Sequence, residues 1–565
     1  MIRGSRGLAQ AGACAAAAAA ASPPAAVPQQ AAPQRQQQQQ RQQQQQRQQQ
    51  RPKQRARRRA LLPALLLLAL AALALAPAAA AAGPPTPRAR RRLAAAGARR
   101  APLAHPGGAG ARRRAPLSHD GAHRELIERV SALQLAASDH LLAQGYKFEP
   151  IPRQWARLTH KLVTPGSKVK IAVFGGSVSV GYRDSATSYP EQFVEWLRTA
   201  FPGVEFELTN LARRATAATF AALCLVDEMP SDVDLVVVEY SVNGYGGQCQ
   251  CFTAPQNAGY ETLVRKVLKK APQTALMSFA TFMWMDKQGD RELYYNTGED
   301  QHAVIARRYG MPMMSVRDAL YDVMFDDANP YGLNRTNILV DIVHVSDDGA
   351  KLYAGFLAWG LRRQVVRVLK HLGSGLDEAA QAAPPAMIAP LNPDSAMEDW
   401  PSFCAEGARL ETAVVPSSGE HWQWVDEGSN ACPGCHKYGY ASKEVGAYLD
   451  ATVNSDVLSE EDRRNGTAQV MLALSYLRSY SDVGKIRVSC VSGCTCDEKL
   501  IDTKNVTPTS ELHTERMPVS PHPECKVRIT IDSETSTGGH KFRLSGVAVH
   551  KQDKVMSYMY APVYD

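Results

Sequence analysis

From about residue 122 onward, short apolar runs that predict strands alternate with longer amphipathic stretches that predict helices. The predicted strands are Val169–Phe174, Phe206–Leu211, Leu235–Tyr240 and Ala275–Phe279, and the predicted helices are Tyr189–Ala200, Thr219–Glu228, Tyr260–Lys270 and Asp300–Tyr309. A last helix opens at Ser346, with Asp347 and Asp348 in its first turn. This alternation predicts an α/β domain over residues 122–372, with a parallel sheet between two layers of helices.

The pattern changes after residue 401. Residues 373–401 are rich in Ala and Pro and are predicted to be a linker. Beyond them, apolar residues recur at every second position, as in Ile486, Val488 and Cys490 or Val527, Ile529 and Ile531. Such alternation predicts antiparallel strands, so residues 402–565 are predicted to form a cysteine-rich β-sandwich or jelly roll.

Residues 1–120 have a different composition, dominated by Ala, Gln, Pro and Arg, and are predicted to be a disordered leader. Residues 1–119 carry 20 of the 64 Lys and Arg residues and no Asp or Glu, so the remainder has 44 basic against 55 acidic side chains. The basic residues lack interleaved aromatics, which argues against nucleic acid as a partner.

Within this leader, residues 60–82 are uncharged, which is long enough to cross a bilayer. Pro63 and Pro77 shorten the hydrophobic centre, so a cleaved signal peptide fits equally well. Either reading places the rest of the chain in the secretory lumen or outside the cell, as a secreted or single-pass type II membrane protein. Membrane contact is then expected only through an uncleaved 60–82 segment. An organellar transit peptide stays open as an alternative.

Cysteines and glycosylation sequons support a secretory location. Seven of the eleven cysteines lie beyond residue 400, and sequons begin at Asn334, Asn465 and Asn505. Disulfides are therefore predicted, with unknown pairing. Cys432-Pro433-Gly434-Cys435-His436 has the haem c attachment pattern, and with Cys494 and Cys496 it could form a zinc site, but both readings are weaker than disulfides. No metal and no cofactor are predicted.

Four side chains are interpreted without a catalytic role. Cys224 lies in an apolar helical stretch and is interpreted as a buried thiol. His302 lies on a polar helix face and is interpreted as solvated. Trp422 and Trp424, two residues apart on a predicted strand, form either a sugar-stacking platform or part of the core.

Polar residues at strand ends indicate a catalytic site. Ser177, Asn210 and Asn243 each follow or end a predicted strand, and functional groups gather at the carboxyl edge of parallel sheets. Asp341 and His344 lie just before the last helix, where one short loop can present both. A serine, a histidine and an orienting carboxylate, with an amide to stabilise an oxyanion, predict nucleophilic acyl chemistry.

These residues resemble the four sequence blocks of the SGNH, or GDSL-like, hydrolase superfamily. The blocks are Gly175-Gly176-Ser177, Asn210-Leu211-Ala212-Arg213-Arg214-Ala215, Ser241-Val242-Asn243-Gly244 and Asp341-Ile342-Val343-His344. The resemblance covers residues 168–372 and implies a flavodoxin-like αβα sandwich. It also implies Ser177 as nucleophile, His344 as general base and acid, and Asp341 as its orienter. The oxyanion hole would use the N–H groups of Ser177 and Ala215 and the side chain of Asn243.

Three residues depart from the superfamily pattern. The Asp that usually precedes the serine is Gly176, the glycine of the second block is Ala215, and the Asp that often follows the Asn is Gly244. The expected function is hydrolysis of O-acyl esters, and the expected substrates are acetyl esters of an extracellular or cell-wall polysaccharide. An O-acyltransferase with the same triad and a glycan-binding protein with a degenerate site remain as alternatives. The oligomeric state is not predicted.

Overall fold

The computed structural model describes residues 118–150, 152–182, 185–244, 255–284, 294, 297–326, 328–397, 399–417, 419–428, 437–505 and 510–552. The first 117 residues, including the apolar segment 60–82, lie outside these ranges, as do Cys249, Cys251, Cys432 and Cys435. None of the helices in the described ranges has both the length and the apolar character needed to span a bilayer.

A six-stranded sheet forms the centre of the first domain. Its strands are β1 (Tyr146–Phe148), β2 (Lys168–Gly175), β3 (Glu205–Asn210), β4 (Leu235–Glu239), β5 (Ala275–Ala280) and β6 (Met313–Ser315). They lie in the order β1-β6-β5-β4-β2-β3, with β2 to β6 parallel and β1 antiparallel at one edge. The predicted α/β class and all four predicted strands are confirmed, whereas the edge strand β1 was not foreseen.

Helices cover both faces of this sheet. They are α1 (Ser118–Ala132), α2 (Asp139–Gln144), α3 (Ala156–Val163), α4 (Ser177–Val180), α5 (Tyr189–Ala200), α6 (Ala218–Phe220), α7 (Pro255–Lys270), α8 (Glu299–Arg308), α9 (Val316–Met324), α10 (Arg335–Ile338), α11 (Asp347–Leu372) and α12 (Leu376–Gln381). Along β2, Ile171 and Val173 face one core while Ala172 and Phe174 face the other. This accounts for the continuous apolar runs, because a parallel strand is buried on both sides.

One predicted helix is broken into three pieces. The stretch predicted as a helix over Thr219–Glu228 contains α6, a π-helical segment over Ala221–Leu225 and a 3-10 turn over Val226–Glu228. All five residues of the π segment are buried. The apolar pattern predicts the burial of this segment correctly, but it does not distinguish a π-helical turn from an α-helical one.

The Ala- and Pro-rich segment 373–401 packs against the first domain. On α7, the buried carboxylate of Glu261 accepts hydrogen bonds from the backbone N–H groups of Leu391 (2.7 Å) and Asn392 (3.0 Å). Arg265, also on α7, donates to the carbonyl of Ile388 at 2.6 Å. These side chains hold the backbone of the segment against the α7 surface.

The second domain is a sandwich of two antiparallel sheets. Its strands are β7 (Phe403–Glu406), β8 (Val414–Pro416), β9 (Gln423–Asp426), β10 (Tyr438–Ser442), β11 (Tyr448–Val453), β12 (Val470–Arg478), β13 (Lys485–Ser492), β14 (Lys499–Asp502), β15 (Glu511–Val519), β16 (Cys525–Ile531) and β17 (Phe542–Lys551), with the short helices α13 (Ala408–Ala413) and α14 (Glu460–Asn465). One sheet has the order β15-β12-β17-β10-β9, with β7 also paired to β17, and the other β14-β13-β16-β11-β8. The predicted β-sandwich is confirmed.

Three disulfides are present among the described cysteines, and one of them corrects the interpretation of Cys224. Cys490 pairs with Cys496 and Cys494 with Cys525, inside the sandwich. Cys224 is not a free thiol, because it is bonded to Cys404 on β7. The apolar surroundings indicated burial correctly, but a partner 180 residues away leaves no trace in the local pattern.

The two tryptophans separate into different environments. Trp422 is 3% exposed, and its ring packs edge-on against Phe542 in the sandwich core. Trp424, on β9, instead lies beside Tyr438 and Tyr440 of β10. Of the two alternatives, the core is therefore confirmed for Trp422, and a platform that uses both rings is ruled out because the Trp422 ring is enclosed.

Candidate active site

Ser177 lies at the turn between β2 and α4. Gly175 is the last residue of β2, and its neighbour on β4 is Glu239, so both strands end at the same edge. After Gly176 the chain enters α4, whose first residue is Ser177. The backbone of the second sequence block runs alongside, since the N–H of Arg213 donates to the carbonyl of Gly175 at 3.0 Å.

Asp341 and His344 lie on a tight loop before α11. Asp341 Oδ1 accepts hydrogen bonds from the backbone N–H groups of Val343 (2.8 Å) and His344 (2.7 Å). The loop is closed by the N–H of Val340, which donates to the carbonyl of His344 at 2.9 Å. A carboxylate that bonds the backbone two and three residues later forms a compact turn, so the Asp-x-x-His spacing itself builds the loop.

The structure brings Ser177, His344 and Asp341 into one hydrogen-bonded chain. His344 Nε2 lies 2.8 Å from Ser177 Oγ, and His344 Nδ1 lies 2.7 Å from Asp341 Oδ2. Burial alone would raise the pKa of Asp341, but hydrogen bonds from the side chain and backbone of His344 and from the backbone of Val343 lower it to about 2. An ionised Asp341 can hold the proton on Nδ1, which leaves Nε2 to accept the serine proton.

The side chain of Asn243 lies against the turn that carries the serine. Asn243 is 6% exposed, and its Oδ1 has no hydrogen-bond partner among the described residues. A Cβ at Gly176 would come within 2.8 Å of both Cγ and Nδ2 of Asn243. A side chain at position 176 would therefore require Asn243 to move from the place it has here.

His302 is buried beside Gly244, and this burial corrects an interpretation made from the sequence. Its ring is 2% exposed and stacks on Tyr260 at 3.8 Å, so the prediction of a solvated histidine is wrong. A Cβ at Gly244 would lie 3.1 Å from this ring, so a side chain there would require a small shift of His302. Burial lowers the pKa of His302 to about 3, so the ring is neutral.

Ala215 has a backbone conformation that favours glycine. Its φ is +59°, in the left-handed region, and its side chain is exposed. Alanine pays about 1–2 kcal/mol for this conformation. Asn210 lies at the start of the same loop and bonds backbone groups rather than Ser177. Its Nδ2 donates to the carbonyl of Ser179 at 3.0 Å, and its Oδ1 accepts from the N–H of Ala212 at 3.1 Å.

A buried glutamate beneath the serine was missed from the sequence. Glu239 is fully buried and accepts hydrogen bonds from Ser179 Oγ (2.9 Å) and Thr281 Oγ1 (2.6 Å). Ser179 Oγ also lies 2.6 Å from the hydroxyl of Tyr189. Burial raises the pKa of Glu239, although the bonds from Thr281, Ser179 and the backbone of Gly176 oppose this. The sequence signal for this buried group is the presence of a charged residue, Glu239, inside the apolar run Leu-Val-Val-Val-Glu-Tyr.

The remaining candidate residues differ in accessibility. Asn465 is exposed, the side chain of Asn334 caps α10, and Asn505 is only 5% exposed, so Asn465 is the most accessible of the three sequon asparagines. In the described part of the chain, the sulfur atoms of Cys490, Cys494 and Cys525 lie close enough together for a metal. All three, however, take part in disulfides.

Comparisons with known proteins agree with this architecture. No family model and no curated protein matches the sequence. Two crystal structures of a two-domain esterase (CEX) active on acetylated mannans, one co-crystallised with mannopentaose, match with TM-scores of 0.51 and 0.50. Each has 18% identity and covers 73% of this chain and 98% of the solved chain. A variant of the acetyl xylan esterase Axe2 from Geobacillus stearothermophilus matches over 36% of this chain and 96% of its own, at 16% identity and a TM-score of 0.27.

At this level of identity the likeness concerns the fold. The chain has the fold of a two-domain esterase, with an SGNH-type α/β domain followed by a β-sandwich. The resemblance to SGNH hydrolases, which rested on four short sequence blocks, is thus confirmed at the level of the fold.

Proposed function

We propose that the protein is a serine esterase that hydrolyses O-acyl esters, with Ser177, His344 and Asp341 as its triad. The observation that carries this proposal is the unbroken chain of hydrogen bonds, 2.8 Å from Ser177 to His344 and 2.7 Å from His344 to Asp341. A degenerate, binding-only site would have no need to keep this geometry. The fold shared with a two-domain esterase supports the same conclusion.

The reaction would follow the usual two steps of a serine hydrolase. Ser177 Oγ attacks the ester carbonyl and its proton passes to His344 Nε2, which then protonates the departing alcohol. In the second step His344 takes a proton from a water molecule whose oxygen attacks the acyl carbonyl. The bond to Ser177 Oγ then breaks, His344 returns the proton to this oxygen, and the carboxylic acid leaves. In both steps the oxyanion would accept hydrogen bonds from the N–H groups of Ser177 and Ala215 and from Asn243 Nδ2.

Acetyl esters of a polysaccharide are the substrate class that we propose. The support is that the structures sharing both domains belong to an esterase described as active on acetylated mannans.

The test is acetate release from acetylated mannan and acetylated xylan by wild type and by Ser177→Ala. We expect release by the wild type and a fall of at least about 10³-fold in the variant. Addition of an unacetylated oligosaccharide distinguishes the acyltransferase alternative, because a transferase would acetylate it in preference to water. A folded wild type that neither releases nor transfers acetate would contradict the proposal.

We also propose a lumenal or extracellular location for residues 118–552. The three disulfides support an oxidising compartment. Glycosylation would occur first at the exposed Asn465. N-terminal sequencing of the mature protein tests whether residues 60–82 are a cleaved signal or an anchor, since cleavage leaves a new terminus just beyond this segment.

A further inference from the structure

The β-sandwich is joined to the α/β domain next to the loop that carries Ala215. The disulfide between Cys224 and Cys404 links the π-helical segment after this loop to β7, with 5.2 Å between the two Cα atoms. Two alanines of the sandwich, Ala473 on β12 and Ala548 on β17, are buried in the core that covers one face of the parallel sheet. The sandwich therefore packs directly against the α/β domain and is not attached to it through the linker alone.

Four charged residues cross the same contact. Glu406, on β7, accepts a hydrogen bond from Arg213 Nε at 2.9 Å, and Arg213 Nη2 lies 3.3 Å from Glu228. Glu228 also pairs with Arg409 of the sandwich at 2.9 Å, and Arg409 donates to the carbonyl of Cys224 at 2.6 Å. The Glu406 side chain is only 15% exposed. Each domain contributes one cation and one anion, so the charges balance across the contact.

Arg213 connects this cluster to the nucleophile. Its backbone N–H donates to the carbonyl of Gly175 at 3.0 Å, and its carbonyl accepts from Thr216 Oγ1 at 2.8 Å. Its side chain points the other way, to Glu406. Ala215 follows two residues later with its strained φ of +59°. A strained residue keeps its conformation only where the surroundings hold it there.

We propose that Glu406 is a positioning residue of the esterase, acting through Arg213. Together with the Cys224–Cys404 disulfide, it keeps the loop of residues 210–216 in the conformation that presents the Ala215 N–H to the oxyanion. This inference rests on the proposed esterase function. It makes the β-sandwich a part of the catalytic unit, whatever else that domain binds. Loss of the contact should lower kcat more than it changes KM, because an oxyanion donor acts mainly in the transition state.

A double-mutant cycle between positions 406 and 215 tests the proposal. Glu406→Gln removes the charge and keeps the shape, and we expect kcat for a small acetyl ester to fall about tenfold with little change in KM. In an Ala215→Gly background the same substitution should cost threefold or less, because glycine adopts the left-handed conformation without support. Glu411→Gln, an exposed carboxylate on the neighbouring helix α13, is the matched control and should leave kcat unchanged.

A second pair of variants tests the disulfide. Cys224→Ala with Cys404→Ala should also lower kcat, whereas Cys490→Ala with Cys496→Ala, which opens a disulfide within the sandwich, should not. Thermal melting checks that each variant folds. If the variant without Cys224 and Cys404 does not fold, the double-mutant cycle between positions 406 and 215 decides the inference. Wild-type kcat in a folded Glu406→Gln protein, or an equal loss in both backgrounds, would overturn the inference. An inactive wild type would instead refute the proposed function.

Discussion

Replacement of Ala215 by glycine should stabilise the protein, which is the opposite of the usual effect of glycine. Alanine at φ +59° costs about 1–2 kcal/mol. Glycine removes that strain but increases the entropy of the unfolded chain, at a cost of about 0.4–1 kcal/mol. The Ala215 methyl is exposed, so its removal sacrifices no packing. From the middle of both ranges, the free energy of unfolding should therefore rise by about 0.8 kcal/mol.

Urea denaturation of wild type and Ala215→Gly measures this change directly, as a higher midpoint at an unchanged slope. Ala217→Gly is the matched control, two residues further along the same loop. Ala217 has an ordinary φ of −95° and is 2% exposed. Glycine at position 217 would lose more backbone entropy on folding and would remove a buried methyl group. Ala217→Gly should therefore lower the free energy of unfolding by about 1–2 kcal/mol.

If Ala215→Gly destabilises the protein as Ala217→Gly does, Ala215 is not strained. The interpretation of Ala215 as an alanine in a backbone conformation that favours glycine would then be wrong. The same result would remove the basis for the rescue expected in the double-mutant cycle with Glu406.

The remaining predictions concern Asn243, as a proposed oxyanion donor, and two buried ionisable groups. Asn243→Ala should lower kcat by roughly 10²–10³-fold with a small change in KM, measured with an acetyl ester, and a loss of less than threefold would contradict its role. The pKa of His302 falls from 6.5 in the unfolded chain to about 3 in the fold, so stability is complete above pH 6.5 and decreases as the pH falls. Relative to His302→Gln, the wild type should lose about 2 kcal/mol between pH 7 and 5, and parallel pH profiles would contradict this. Burial raises the pKa of Glu239 above 4.5, so the wild type should lose stability relative to Glu239→Gln as the pH rises from 4 to 7, and the reverse trend in urea denaturation would contradict it.

Periodicity was sufficient to predict the architecture because both domains bury long, regular faces. The parallel strands appear as unbroken apolar runs, and the helix α11 begins after Ser346, whose side chain caps it as expected. The edge strand β1 escaped notice because its three residues are only partly buried and lie between a short helix and a 3-10 turn. Too few residues are present there for any period to be recognised.

Site residues were predictable where a single local motif carries them. Ser177 and the pair Asp341 and His344 follow from strand ends and from a turn that the aspartate itself builds. The Cys224–Cys404 disulfide and the contact between Arg213 and Glu406 were not predictable, since each joins residues about 180 or more positions apart. Such pairings depend on how the two domains pack, and a single sequence contains no local signal for that.

The burial of His302 shows a different limit. Polar neighbours on α8 suggested a solvated ring, but the ring packs against Tyr260 on α7 and against the turn at Gly244. Crowding at Gly176 and Gly244 is equally invisible in the sequence, because a Cβ at either position would meet a side chain from another part of the chain, Asn243 or His302.

Fluorophosphonate labelling is the most direct test of the central claim that His344 activates Ser177. Incubation of the folded wild type, followed by peptide mass spectrometry, should give one adduct, on Ser177. Ser177→Ala should show none, and His344→Ala should react far more slowly, because its serine lacks the base 2.8 Å away. A folded wild-type protein that is not labelled, or that is labelled equally fast without His344, would contradict the account.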